Sequence, residues 1–163
     1  MNDNNAQQPV ETATDESGPS IRVAAQFIRD LSFECPNVHR LLEGPGDNPN
    51  LQLQVNVSAK GTESGLFESV IDLSANASNA AGVIYELEVS YGGLFQIRNL
   101  PREAVEQLLM VNGPALLFPF LRRLVADVTR EGGFPPLFLD PIDFAGLYLR
   151  RKQEGEGQAP ATA

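Results

Sequence analysis

The sequence is poor in the residues on which most chemistry depends. It holds one cysteine, Cys35, one histidine, His39, and no tryptophan among 163 residues. A lone cysteine excludes an intramolecular disulfide. A lone histidine means that any Ser-His or Cys-His system would have to use His39, which follows Cys35 at i+4 in a turn-rich stretch. That spacing brings the two together only on a helix, and Pro36 with the surrounding loop composition argues against one. Two such side chains also fall short of the tetrahedral set of a structural zinc site, so no metal and no cofactor are expected. Positive charge is scarce as well: 12 Lys and Arg against 21 Asp and Glu give a net charge of -9 and a pI of about 4.5. Such a chain repels phosphate backbones and anionic lipid, which argues against nucleic acid and favours a basic polypeptide as partner. No apolar run approaches the length of a membrane span. The start has neither a positive n-region nor an apolar h-region, so no secretory signal and no membrane insertion are expected, and the cytoplasm is the default.

What the chain has in excess is apolar helix. A short helix is expected from Pro101 to Val111, stopped near Asn112 and Gly113, and a long one opens with Pro114 at its first position. Leu117, Leu121, Leu124, Val125 and Val128 form its core stripe. Leu116, Phe118 and Phe120 lie off that stripe and surround the first turns with apolar surface, more than one small domain is able to cover. A second copy of the chain is the simplest cover, so an oligomer is expected. Pro119 is expected to kink the helix or confine its regular part to the residues after it.

Both ends lack core-forming residues: 1–19 reads as a disordered acidic tail and 153–163 as a second tail, leaving 20–152 as one domain. A first strand runs from Ile21, with Ile21, Val23, Ala25 and Phe27 on one parity, bends near Arg29 and Asp30, and resumes at Leu31 and Phe33. Pro36 to Asn50 reads as a long crossover loop, with Leu41 and Leu42 pinning it. Leu51, Leu53, Val55, Val57 and Ala59 then alternate strictly with polar residues, one face apolar and one wet. A third strand follows from Leu66 to Ser74, and ANASNAAG reads as a turn. Next comes the longest strand, with Val83, Tyr85, Leu87, Val89 and Tyr91 on one side and a bend or bulge at Gly92 and Gly93. After Gly132 and Gly133 an extended FPPLFLDP segment leads to a last helix capped by Asp140, with Phe144, Leu147 and Tyr148 on one face. Strands followed by helices predict an α+β domain, a four-stranded antiparallel sheet with helices packed on one face.

No catalytic pattern stands out. EGPGDNPN has the glycine content of a phosphate cradle but lacks the Lys-Ser or Lys-Thr and the helix that phosphate binding needs. Glu86 and Glu88, at i and i+2 on a wet strand face, read as solvated side chains rather than an acid–base pair. Tyr85 and Tyr91 share the parity of Leu87 and Val89 and read as core or interface aromatics.

Three strings resemble one family. DLSFECPN at 30–37, YGGLFQI at 91–97 and NGPALLFPFLRRLVADVTREGGFPPLFLDPIDFAGLY occur in the order and spacing of the SecB protein-export chaperones, and the likeness covers residues 20 to about 152. The resemblance implies a tetramer built as a dimer of dimers, with the long helices between two eight-stranded sheets. It implies no enzymatic activity. Such proteins hold unfolded precursor proteins in the cytoplasm in a translocation-competent state and deliver them to SecA, whose zinc-binding segment docks on acidic residues of the exposed sheet. The matching positions are Asp30, Glu34 and Glu88, all on polar parities, with Glu86 beside them where the family often has leucine. Leu87, Val89 and Tyr91 match residues that support assembly, and Leu117, Phe118, Phe120 and Leu121 are expected at the same oligomer interface. Leu51, Leu53 and Val55 match client-contacting positions, and Phe144, Leu147 and Tyr148 are expected opposite them, forming a client groove. The family's tryptophan beside that groove is missing here.

Two other functions compete on the residues alone. One is a small α+β enzyme or apolar-ligand carrier whose sheet curls around a cavity, which would need inward polar residues that strand 51–59 does not supply. The other is an oligomeric scaffold without client binding.

Overall fold

The computed structural model describes residues 18–42 and 49–156. The two expected tails, apart from their inner ends, and the glycine-rich part of the crossover loop lie outside the described residues, as do the side chains of Leu41 and Leu42. Four strands form one antiparallel sheet: β1 Ser20–Glu34, β2 Asn50–Gly61, β3 Phe67–Asn79 and β4 Gly82–Arg98, in the order β1-β4-β3-β2. Helices pack on one face, so the α+β expectation holds. The strict alternation of β2 corresponds to an unbroken register with β3, from Asn50↔Ser78 to Gly61↔Phe67. Their hairpin closes where the Thr62 N–H donates to the Leu66 carbonyl at 2.8 Å.

Several local expectations are corrected. The register of β1 against β4 shifts between Val23 and Ala25 as well as between Ile28 and Asp30. A bulge inserts one unpaired residue and reverses parity, so Ala25 and Phe27 face away from Ile21 and Val23. Gly92 and Gly93 are not a bulge, because β4 stays in register with β3 through Val70↔Gly92 and Ser69↔Gly93. Their role is close approach: a Cβ on Gly93 would lie 2.8 Å from Leu117 Cδ2, and one on Gly92 would lie 2.8 Å from the Phe27 ring. β3 runs on through the segment read as a turn, with Ala75 and Ala77 buried in the core. The loop after β1 contains a short helix, α1 Val38–Leu42, which begins beyond Cys35, so Cys35 and His39 do not share one.

The long helix departs most from expectation. From Arg102 to Glu131 the chain is helical without a break: α2 Arg102–Gln107, a π-helical turn Leu108–Asn112, and α3 Gly113–Glu131. Pro114 lacks the N–H needed to continue the ladder, and the turn widens to accommodate it. The Gly113 N–H donates to the Leu108 carbonyl, five residues back, which leaves the Leu109 carbonyl without a helical donor. The Ser69 hydroxyl of β3, fully buried, donates to that carbonyl at 2.7 Å. The residues read as a helix stop are therefore the point where the helix is fixed to the sheet. As one 30-residue unit it is long and apolar enough to cross a membrane by length and composition, against the expectation from the sequence. Its stripe of Leu117, Leu121 and Val125 is buried against β3 and β4. α3 also continues through Pro119.

The end of α3 is a Schellman motif: Gly133 has φ 89°, its N–H donates to the Arg130 carbonyl, and the Phe134 N–H donates to the Thr129 carbonyl. Thr129, fully buried, donates through Oγ1 to the Val125 carbonyl at 2.9 Å and accepts the Leu137 N–H at 2.9 Å, tying the next segment down. Phe134 packs with Phe33 and Tyr85, with ring centroids 5.2–6.4 Å apart. The last helix, α4 Phe144–Glu156, starts one turn later than expected. Asp143, not Asp140, caps it, accepting the Gly146 N–H at 2.9 Å. It also runs beyond residue 152, through residues read as tail.

Candidate functional site

Two surfaces collect the residues singled out in the sequence. The first is the sheet face turned away from the helices. The β1–β4 register sets Asp30 opposite Ser90, Ser32 opposite Glu88 and Glu34 opposite Glu86, so Asp30, Glu34, Glu86 and Glu88 share this face. β3 adds Asp72, opposite Ser90, and the Ser90 hydroxyl donates to its carboxylate. Sequence periodicity missed Asp72 because Val70 blurs the alternation of its strand; the cross-strand pair with Ser90 is visible only once register is known. Asn76 donates to Glu86 at 3.0 Å. None of these five carboxylates joins an ion pair among the described residues. Of the four cations on these strands, Arg29 and Lys60 pair with Glu68, and Arg22 and Arg98 lie at the end of the β1–β4 pair opposite to Glu34 and Glu86. Glu34 and Glu86 stand directly opposite, where like charges repel. The face is thus a surplus of negative charge that a basic segment would neutralise.

The second surface lies between β2 and α4. Val55, Val57, Met110, Leu147, Tyr148 and Arg151 line a groove of about 370 Å³. Leu147 and Tyr148 line it together with Val55. Phe144 is not in the groove: it is buried, with its ring edge-on to Phe118 at 6.0 Å. Leu51 and Leu53 lie further along β2, the latter 45 % exposed. The Tyr148 hydroxyl donates to Glu106 at 3.2 Å, and Lys152 sits 5.5 Å from the centre of its ring. Met110 and Arg151 were missed, the first because the π-turn was not foreseen and the second because it follows the apolar face of the last helix, in a polar stretch to which no role was given.

The expected oligomer-interface residues divide. Leu87, Val89, Leu117 and Leu121 are buried within the chain itself, since one helix face is needed to cover its own sheet. They are corrected to core positions. Phe118 and Tyr91 are part-buried, and Tyr91 donates to Gln26 at 3.2 Å while burial pushes its phenol pKa up. Phe120 is 51 % exposed. Leu116 beside it, and Ile28 and Leu31 on the helix side of edge strand β1, are exposed too. Cys35 is part-buried, and desolvation raises its thiol pKa. No group of His, Cys, Asp and Glu among the described residues is placed to hold a metal.

Comparison with known proteins places the chain in a family. The family model for SecB, preprotein translocase subunit SecB, matches residues 14–155. A protein-export protein SecB of Caulobacter sp. strain K31 is 46% identical over 149 residues, covering 91% of this chain and 90% of that one. The protein-export protein SecB of Caulobacter vibrioides is 42% identical over 163 residues, covering 100% of both. Among solved structures, a SecB-like chaperone of Mycobacterium tuberculosis, in complex with a ChAD peptide from the HigA1 antitoxin, shares the fold. Its TM-score is 0.61 at 16% identity, over 75% of this chain and 90% of that one. With a family match across nearly the whole described chain and relatives this similar along their full length, the protein belongs to the SecB family.

Proposed function

We propose that this chain is a cytoplasmic export chaperone that holds unfolded precursor proteins in a translocation-competent state and hands them to SecA. Membership of the SecB family makes it a chaperone rather than an enzyme. The observation that carries the client-binding part is the free edge of β2. The Thr62 N–H to Leu66 bond fixes the phase of the β2–β3 ladder. Even-numbered β2 residues therefore bond to β3, and Leu51, Leu53 and Val55 turn their N–H and C=O groups outward. Their side chains are the apolar ones. An extended polypeptide is the ligand that satisfies both, with backbone to backbone and apolar residues into the groove beside Leu147 and Tyr148. Such burial yields on the order of 25 cal/mol per Å² without directional demands, so selectivity is loose.

The acidic face supports a separate dock for a basic segment of SecA, centred on Asp30, Glu34, Glu86 and Glu88. The exposed Leu116 and Phe120 of α3, with Ile28 and Leu31 of β1, support assembly into a homotetramer built as a dimer of dimers. The test is suppression of aggregation of an unfolded precursor, with neither nucleotide nor metal added. Wild type is expected to suppress it, and Leu53→Ser with Tyr148→Ser to release a bound precursor several-fold faster while staying tetrameric. Unchanged release in a tetrameric double variant would remove the groove from the reading.

A further inference from the structure

α4 is hydrogen-bonded to the outer edge of the sheet through Arg151. Arg151 follows Leu147 at i+4, on the same helix face, and its Nη1 donates to the Val57 carbonyl at 2.7 Å. Val57 continues the outward-facing series of Leu51, Leu53 and Val55, because the β2–β3 register is unbroken. The guanidinium therefore occupies the next acceptor on the edge a client strand would use. Arg151 joins no ion pair among the described residues, so nothing but this carbonyl is shown to hold its charged end.

We propose that Arg151 is a latch on the free edge of β2 that ends strand addition at Val55. This rests on the reading that clients add to β2. An incoming strand that pairs beyond Val55 must place its own N–H on the Val57 carbonyl and displace the guanidinium. The freed cation then seeks a carboxylate, so a client segment with Asp or Glu at that point opens the latch, and a purely apolar one does not. The same cation keeps the β2 edges of two copies from pairing along their whole length, as basic side chains do on other exposed edges.

The test uses the full-length protein, a short unstructured Val- and Ser-rich peptide as client, and residue-resolved amide exchange. In wild type the bound peptide is expected to protect the amides of Leu51, Leu53 and Val55 and to leave Val57 unchanged. In Arg151→Met protection is expected to extend to Val57, with peptide release slower by roughly two- to tenfold, the change that one net hydrogen bond carries. Arg151→Lys, which keeps a cationic donor, is expected to restore the wild-type pattern. A glutamate placed near the end of the peptide is expected to extend protection to Val57 even in wild type. The latch is overturned if the plain peptide already protects Val57 in wild type, or if Arg151→Met leaves the pattern unchanged. Absence of protection at Leu51, Leu53 and Val55 in both proteins overturns strand addition itself, and the latch with it, whatever the aggregation assay shows.

Discussion

Ser69→Ala asks whether one hydroxyl fixes the long helix to the sheet. The Leu109 carbonyl has no helical donor, because Gly113 bonds to Leu108 and Pro114 has no N–H, and it is served by Ser69 at 2.7 Å in a fully buried site. Removing the hydroxyl strands a buried acceptor, which costs about 1–3 kcal/mol. At a urea slope of about 2 kcal/mol per M, this lowers the unfolding midpoint by roughly 0.5–1.5 M. Pro114→Ala alone is expected to be mild, about 0.4–1 kcal/mol through the freer unfolded chain, because Ser69 still serves the carbonyl. Combined, the two are expected to cost less than their sum by at least about 1 kcal/mol, since the restored N–H at position 114 supplies a donor within the helix. The measurement is urea unfolding monitored by far-UV circular dichroism, at one fixed protein concentration because association adds to apparent stability. Strict additivity, or a Ser69→Ala midpoint equal to wild type, would refute the account of the π-turn.

Gly132→Ala places a Cβ 2.3 Å from the Phe33 ring, and such overpacking is expected to destabilise by about 1–3 kcal/mol; thermal melts should show partial recovery on adding Phe33→Leu, and no recovery would locate the strain elsewhere. Glu88→Lys is expected to weaken SecA binding while leaving client holding intact, and wild-type affinity should fall with added salt as exposed charges are screened; titration calorimetry at two salt concentrations checks both, and salt-independent binding would count against the acidic dock. Burial raises the Cys35 pKa, so its reactive thiolate is scarcer than that of a free thiol at any pH below the raised value; alkylation by iodoacetamide is expected to be slow at mildly alkaline pH, with the inflection of rate against pH above the ordinary thiol range.

Sequence periodicity by itself determined the sheet, the helical order and the two parities of β2 and β4, because alternation at period two and stripes at 3.6 record which side of an element is buried. That was enough to place Glu86 and Glu88 on the wet face and Leu51, Leu53 and Val55 on the apolar one. It was not enough where two elements meet. Gly113 and Pro114 look like a helix boundary, and only the Ser69 hydroxyl beneath Leu109 turns them into a continuous turn. Leu117 and Leu121 read as a core stripe by their period and as an interface by the family resemblance, and the glycine at position 93 decides between the two by letting α3 sink onto its own sheet and use them there. Asp72 joined the acidic face through its register with Ser90, and Arg151 gained its place through the phase of a ladder set by the hairpin at Thr62. A hydrogen bond between residues far apart in sequence leaves no period in either segment. Which backbone groups are satisfied, and which face outward for a partner, was therefore decided by the tertiary structure.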